Sequence, residues 1–208
     1  MNNILLFGPQ GSGKGTQGEK LAEQLNLPLV VTGNIFRHHM QEGTELGKLA
    51  KRFINKGELV PDEVTNRMIG ERIQRADCEF GFILDGYPRN LDQAKALDGY
   101  TTITHLLHIN ISDEEAVQRI GNRRTCVENG HVYHLIYNPP KQEGVCDHDA
   151  SELEQRADDS EEALKKRLAI YHDETEPLLE FYNQRNLVHD IDGEQSIDDV
   201  WKDVKSLF

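Results

Sequence analysis

The chain has 208 residues, 37% of them hydrophobic, which is enough for one α/β core with insertions or at most two small domains. Lys and Arg total 23 against 36 Asp and Glu, a formal charge of −13 with no Lys/Arg-rich block, which argues against nucleic acid as a partner. No apolar run approaches the roughly 18–20 residues of a membrane span, the N-terminus has no basic n-region, and three cysteines make no disulfide framework; a cytoplasmic protein without a membrane partner is expected.

In chain order, Ile4 to Phe7 reads as a buried strand broken at Gly8. Lys14 to Leu25 reads as a helix, with Leu21, Ala22 and Leu25 at helical spacing. Pro28 to Val31 is a second strand, and a helical stretch punctuated by Gly43 and Gly57 starts at Ile35. Phe82 to Leu84 is a third strand ending at Asp85-Gly86, Ile103 to Ile111 a fourth, and Leu187 to Ile191 a fifth. Strands alternating with helices predict a parallel five-stranded sheet with helices on both faces. Two excursions interrupt the alternation. Residues 31–60 are largely helical, and residues 122–159 suggest a small antiparallel insertion with a strand-like run from Val132 to Tyr137. From Glu161 a long amphipathic helix begins with an acidic first turn, as the helix dipole favours.

Gly8-Pro-Gln-Gly11-Ser12-Gly13-Lys14-Gly15-Thr16 lies between the first strand and the first helix and meets the pattern G-x4-G-K. Glycines free the backbone N–H groups to point at a phosphate, while the helix N-terminus and Lys14 add positive charge. The general motif's hydroxyl after Lys is Gly15 here and arrives one residue late at Thr16, so direct Mg2+ ligation by the loop is in doubt. Such a loop signifies nucleotide binding; catalysis needs a second constellation. Arg37, Arg89, Arg119, Arg123, Arg124, Arg156 and Arg167 offer one, because guanidinium forks hold phosphoryl oxygens whose charge grows in the transition state.

The segments Gly8 to Thr16, Thr32-Gly-Asn-Ile-Phe-Arg37, Gly57-Glu-Leu-Val60 and Asp85-Gly-Tyr-Pro-Arg89, followed by Gln93, together resemble the adenylate kinases over the whole chain. The resemblance implies a P-loop NTPase core (residues 1–30, 61–121 and 160–208), a helical AMP-binding insertion (31–60) and a small antiparallel β lid (122–159). It implies reversible phosphoryl transfer, ATP plus AMP to two ADP, by a monomer using Mg2+ with ATP. Gly11, Ser12, Gly13, Lys14, Gly15, Thr16, Arg119, Arg123, Tyr133 and His134 would bind ATP. Thr32, Gly33, Arg37, Glu58, Leu59, Val60, Gly86, Arg89, Gln93, Arg156 and Arg167 would bind AMP. Lys14, Arg89, Arg123, Arg156, Arg167, Asp158 and Asp159 would form the catalytic set, with Asp85 ordering Mg2+ through water. Asn34 stands where the family usually has Asp, and Tyr87 where it has Phe. A kinase for UMP, CMP or another monophosphate is the nearest rival. A GTPase-type switch is disfavoured because no N/T-K-x-D guanine-reading motif occurs.

Some members of the family clamp the lid with zinc through paired C-x2-C and C-x2-C/D motifs. Here Cys126, Cys146 and Asp149 match the first, third and fourth positions, and Asn129, a poor ligand, stands at the second. His131 nearby completes C-x4-H-x14-C-x2-D, a donor set suited to a structural zinc, with His134 and His148 as alternative donors. Buried reduced thiols, a disulfide, or a hydrogen-bonded cluster of the cysteines with Asn129 and Asp149 are the competing readings.

Overall fold

The computed structural model describes all 208 residues. β1 (Asn2–Phe7), β2 (Leu29–Val31), β3 (Gly81–Asp85), β4 (His105–Asn110) and β8 (Val188–Asp192) form one sheet in the order β2-β3-β1-β4-β8, every neighbouring pair parallel. Successive β1 side chains serve opposite faces. Leu5 and Phe7 join Phe82, Leu84 and Leu106 under α4 (Asp62–Ile73), α5 (Leu91–Asp98) and α8 (Leu178–Asn183). Ile4 and Leu6 join Ile83, Leu107, Ile109 and Ile191 under α1 (Lys14–Leu25) and α9 (Ile197–Lys205). Burial on both faces explains why these strands are continuous apolar runs in sequence, each buried Leu or Ile side chain contributing roughly 1.5–3 kcal/mol.

The first excursion is α2 (Thr32–Gln41) packed on α3 (Glu45–Ile54). The second follows α6 (Asp113–Gly121) and is a three-stranded antiparallel sheet, β6-β5-β7, made of β5 (Arg123–Cys126), β6 (Val132–His134) and β7 (Leu153–Glu154). The strand-like run ends at His134, short of Tyr137. The Nδ1 of His134 accepts the N–H groups of Ile136 and Tyr137, both at 3.1 Å, which turns the chain out of the ladder. The two excursions touch each other where Gln41 Nε2 donates to the Val127 carbonyl at 3.0 Å.

The helix begun at Glu161 is also not continuous. α7 (Glu161–Ile170) passes into a π-helical turn, Tyr171–Thr175, before α8. Pro177 supplies a local reason, since its ring crowds the carbonyl four residues back and a wider turn relieves that clash.

Candidate active site

The carboxyl ends of β1, β2 and β3 lie side by side because Leu6 and Val31 both pair with Asp85. Connections leave β1 and β4 in opposite directions, and the crevice beyond such strands is where open α/β sheets take ligands. The glycine loop forms its rim. At Gly8, with φ +139°, a Cβ would lie 2.1 Å from the Ile109 carbonyl oxygen, so only glycine runs this close to β4. Ser112, Ser160 and Ser196 cap α6, α7 and α9, whereas no side chain caps α1. The first N–H groups of α1 are thereby left for an anion at the loop. Gly11, Gly13, Gly15 and Thr16 line the cavity, and buried Ser12 sits behind them. Lys14 donates to the carbonyls of Gly8 (2.6 Å) and Pro9 (2.7 Å) and to Ser12 Oγ (3.3 Å). Burial, reinforced by Arg89, Arg167 and Arg123 and opposed by Asp85, lowers its ammonium from 10.5 to about 8.

The same cavity, about 320 Å³, continues beneath α2. Thr32 is buried there with no protein partner for its hydroxyl. Arg37 donates to Asn34 Oδ1 at 2.5 Å. A Cβ on Gly33 would stand 3.0 Å from the Arg37 guanidinium, and one on Gly86 3.3 Å from that of Arg89, so both glycines make room for cations. The Arg89 N–H donates to Gln93 Oε1 (2.8 Å) and its Nε to the Gly86 carbonyl (2.9 Å). Gln93 in turn donates from Nε2 to Asp62 at 2.6 Å. With an N–H on one side and a carboxylate on the other, the orientation of the Gln93 amide is dictated, and one N–H and one lone pair remain for a ligand. Sequence reasoning did not single out Asp62, because an acidic residue in a first helical turn reads as a dipole partner. Leu59 and Val60 line the cavity as well; Glu58 does too, but its carboxylate pairs with Lys166 on α7 at 2.7 Å.

The remaining cations come from α6, α7 and the root of the β5–β7 sheet. Arg123 holds the fully buried Asp159 carboxylate with two donors, Nε at 2.9 Å and Nη2. Arg167 donates to Asp158 at 3.0 Å and lies 3.6 Å from Asp159. Arg156 bonds Thr125 Oγ1 (2.9 Å) and Arg119 bonds Glu115 (2.6 Å). Burial, then neighbouring guanidiniums, lowers Arg89 to about 10 and Arg156 to about 9, still charged at neutral pH. Burial raises the Asp158 carboxyl, but Arg167, Arg37, Arg123 and Arg156 together pull it below the usual range. Seven cations (Lys14 and the arginines at 37, 89, 119, 123, 156 and 167) line the cavity against four carboxylates, Glu19, Glu58, Asp85 and Asp158. Against a chain charge of −13, that local excess specifies a polyanion. Arg124 is not among them; it bonds the Gly121 and Arg123 carbonyls. Tyr133 lies inside the small sheet's core with its hydroxyl accepting from the Asp147 N–H (2.8 Å), while its neighbour Val132 faces the cavity. His134 accepts two backbone N–H bonds at Nδ1, so its hydrogen sits on Nε2, which is buried without a protein partner.

Cys126, His131, Cys146 and Asp149 place their donor atoms within 4.8 Å of one another. Cys126 Sγ is 3.3 Å from Asp149, Cys146 Sγ 3.4 Å from His131 Nδ1, and His131 Nδ1 3.8 Å from Asp149. Tetrahedral ligands on zinc bonds of about 2.0–2.3 Å stand about 3.3–3.8 Å apart, so the donor set fits the ion. Asn129 and Ser151 surround the donors, each bonding Asp149 at 2.5 Å, and the Asn129 N–H donates to Cys126 Sγ at 3.3 Å. Hydrogen bonds from Ser151 and Asn129 hold the Asp149 carboxyl well below the usual carboxylate range. His148 stacks on His131, ring centroids 4.3 Å apart, and both cysteines are free thiols.

A glycine loop heading a doubly wound parallel sheet, with cations from three parts of the chain converging beside it, defines a P-loop phosphotransferase. A sequence model of the family described as "Adenylate kinase" matches residues 6–187. The adenylate kinase of Archaeoglobus fulgidus is 45% identical, over 99% of this chain and 97% of its own length. That of Caldanaerobacter subterraneus subsp. tengcongensis is 46% identical over 97% and 94%. That of Bacillus subtilis is 46% identical over 99% and 97%. The chain belongs to the adenylate kinase family, and is thus a phosphotransferase of the nucleoside-monophosphate kinase class.

Proposed function

We propose that this chain transfers a phosphoryl group between ATP and AMP, giving two ADP, by means of the single cation-lined cavity shared by its three parts. The observation that carries the reading is the convergence of Lys14 with Arg37, Arg89, Arg119, Arg123, Arg156 and Arg167 on one space. Residues 1–30, 61–121 and 160–208 act as the core, 31–60 as the AMP-binding insertion and 122–159 as the lid. ATP enters from the glycine loop, with Lys14 on its phosphates and Arg119 against the adenine. AMP occupies the space under α2, its phosphate between Arg37 and Arg89. The remaining N–H and lone pair of Gln93 match the N1 acceptor and N6 donor of adenine, which supports AMP over pyrimidine monophosphates.

Charge that develops on the transferred group meets Arg123, Arg156 and Arg167, already held by Asp159, Thr125 and Asp158. Preorientation of these forks means little rearrangement at the moment of transfer. The Gln41–Val127 contact between insertion and lid suits a closed state that excludes water from ATP. Mg2+ bound with ATP supplies charge neutralisation at the phosphate oxygens, and Asp85, the carboxylate beside the loop, suits an ion that keeps several waters. Zinc in the Cys126, His131, Cys146 and Asp149 cluster would brace the lid.

The reading takes the chain as a monomer, as its resemblance to the family implies. Its three free, buried cysteines suit a reducing cytoplasm, and no helix is long and apolar enough to cross a membrane. A coupled assay with ATP and each of AMP, UMP, CMP and GMP tests the reading. AMP is expected to be the preferred acceptor; faster turnover of UMP or CMP would overturn it.

A further inference from the structure

The π-helical turn between α7 and α8 closes with the Glu176 N–H bonded to the Tyr171 carbonyl at 2.8 Å. Such turns disturb a helix and are frequent at functional sites. Its two ends are tied in different directions. At the first, the Tyr171 hydroxyl lies 3.1 Å from His108 Nε2, and His108 Nδ1 lies 2.7 Å from Asp190. A carboxylate only accepts, so Nδ1 carries the hydrogen and Nε2 accepts a hydrogen bond from the phenol O–H. Burial pushes the Tyr171 phenol up, which keeps that donor protonated. His108 stands on β4 and Asp190 on β8, so the rigid sheet anchors the turn.

At the other end, the buried Thr175 hydroxyl donates to the Arg89 carbonyl at 2.7 Å. Arg89 is otherwise held at its N–H by Gln93 and at its Nε by Gly86. Thr175 therefore secures the one main-chain group of Arg89 that its own segment leaves unheld. The extra residue in the wide turn matters here, because each residue rotates a helix face by about 100°. A regular helix from α7 would carry the Thr175 hydroxyl away from Arg89.

We propose that Thr175 is a positioning residue for Arg89, and that the π-turn, anchored through Tyr171 by His108 and Asp190, serves to place its hydroxyl. The inference rests on the reading of Arg89 as a ligand of the AMP phosphate. The test is steady-state kinetics of the full chain with AMP and ATP varied separately, together with melting temperatures. Thr175→Val keeps the volume and removes the donor. It should raise KM for AMP about five- to tenfold, the scale of one hydrogen bond, while KM for ATP stays within about twofold. Thr175→Ser retains the hydroxyl and should restore KM for AMP to within about twofold of the wild type. His108→Phe, which keeps a ring without nitrogens, should shift KM for AMP in the same direction as Thr175→Val. An unchanged KM for AMP in Thr175→Val overturns the inference. So does a parallel rise in both KM values with a lower melting temperature and no rescue by serine, which marks a packing defect. An unchanged KM for AMP in His108→Phe overturns the anchoring role. Arg89→Ala separates the two levels: if it leaves KM for AMP intact, the phosphate reading fails and takes this inference with it. If it raises KM for AMP while Thr175→Val does not, only the positioning role falls.

Discussion

Replacing Lys14 with Met should remove a pH-dependent part of the stability of the nucleotide-free protein while nearly abolishing turnover. In the fold the half-buried ammonium lines the cavity and faces Arg89, Arg167 and Arg123, with Asp85 as the opposing charge. The fall from 10.5 to about 8 corresponds to about 3 kcal/mol by which folding disfavours the charged lysine. Met fills a similar volume without a charge, but gives up the bonds to Gly8, Pro9 and Ser12, an offset of about 1 kcal/mol for each. The two terms nearly cancel at neutral pH, so the melting temperature there should stay within roughly 4 °C of the wild type, at about 2–4 °C per kcal/mol for a chain of this size. The pH dependence has a definite sign. Below about 8 the lysine is charged in both states and the destabilisation is fully present. Between about 8 and 10.5 the unfolded chain holds more protons, so wild-type stability gains from this group as pH rises. Lys14→Met should lack that gain. Turnover should fall about 10²–10³-fold as one preorganised cation is removed from the transferring phosphates. Saturating ATP should raise the melting temperature of the wild type more than that of the variant, because ligand linkage favours the form that binds more tightly. Calorimetry from pH 7 to 10 and a coupled assay would check this. A variant whose melting temperature follows the wild type's in parallel from pH 8 to 10, or that keeps near-normal turnover, would refute the electrostatic reasoning.

Two further outcomes follow from other sites. Protein purified without a histidine tag should contain one equivalent of zinc by elemental analysis, and chelator or Cys146→Ser should lower the lid's transition while the sheet's transition persists; metal-free protein with unchanged melting would sink the cluster as a zinc site. His172 bonds Glu176 at 2.8 Å and Asp113 at 3.0 Å, and these bonds, Glu176 first, raise its pKa above 6.5. Glu114 on α6 and Lys165 on α7 also line this surface. Protonated His172 thus contributes stability that is fully present below 6.5 and lost as pH rises through its folded pKa. The site is 42% exposed, so the effect is screened to under about 1 kcal/mol. His172→Gln should therefore melt lower than wild type at pH 6, and the gap should close by pH 8.5; a gap independent of pH would exclude the ion pair.

The glycine loop and the five core strands were legible in the sequence because their causes are local. Glycine at Gly8 and Gly13, an apolar run before it and helical spacing after it specify strand, loop and helix without reference to distant residues. The arginines were legible as cations, and the lid cluster as a spacing of donors. What each side chain faces depends on contacts the sequence does not order. Tyr133 points into the core of the small sheet and its neighbour Val132 toward the cavity, because a strand alternates and Cys126, Cys146 and Leu153 fill one face. Asp62 reaches Gln93 across 31 positions, and His108 reaches Asp190 across 82 and Tyr171 across 63. The π-turn has a local cause in Pro177, but its use depends on Arg89, 86 positions from Thr175. Sequence alone determined that this chain cradles phosphate and carries the cations to move it. Tertiary structure decided which carboxylate, carbonyl or hydroxyl holds each cation still, since long-range hydrogen bonds are set by the packing of the sheet and its helices, not by spacing along the chain.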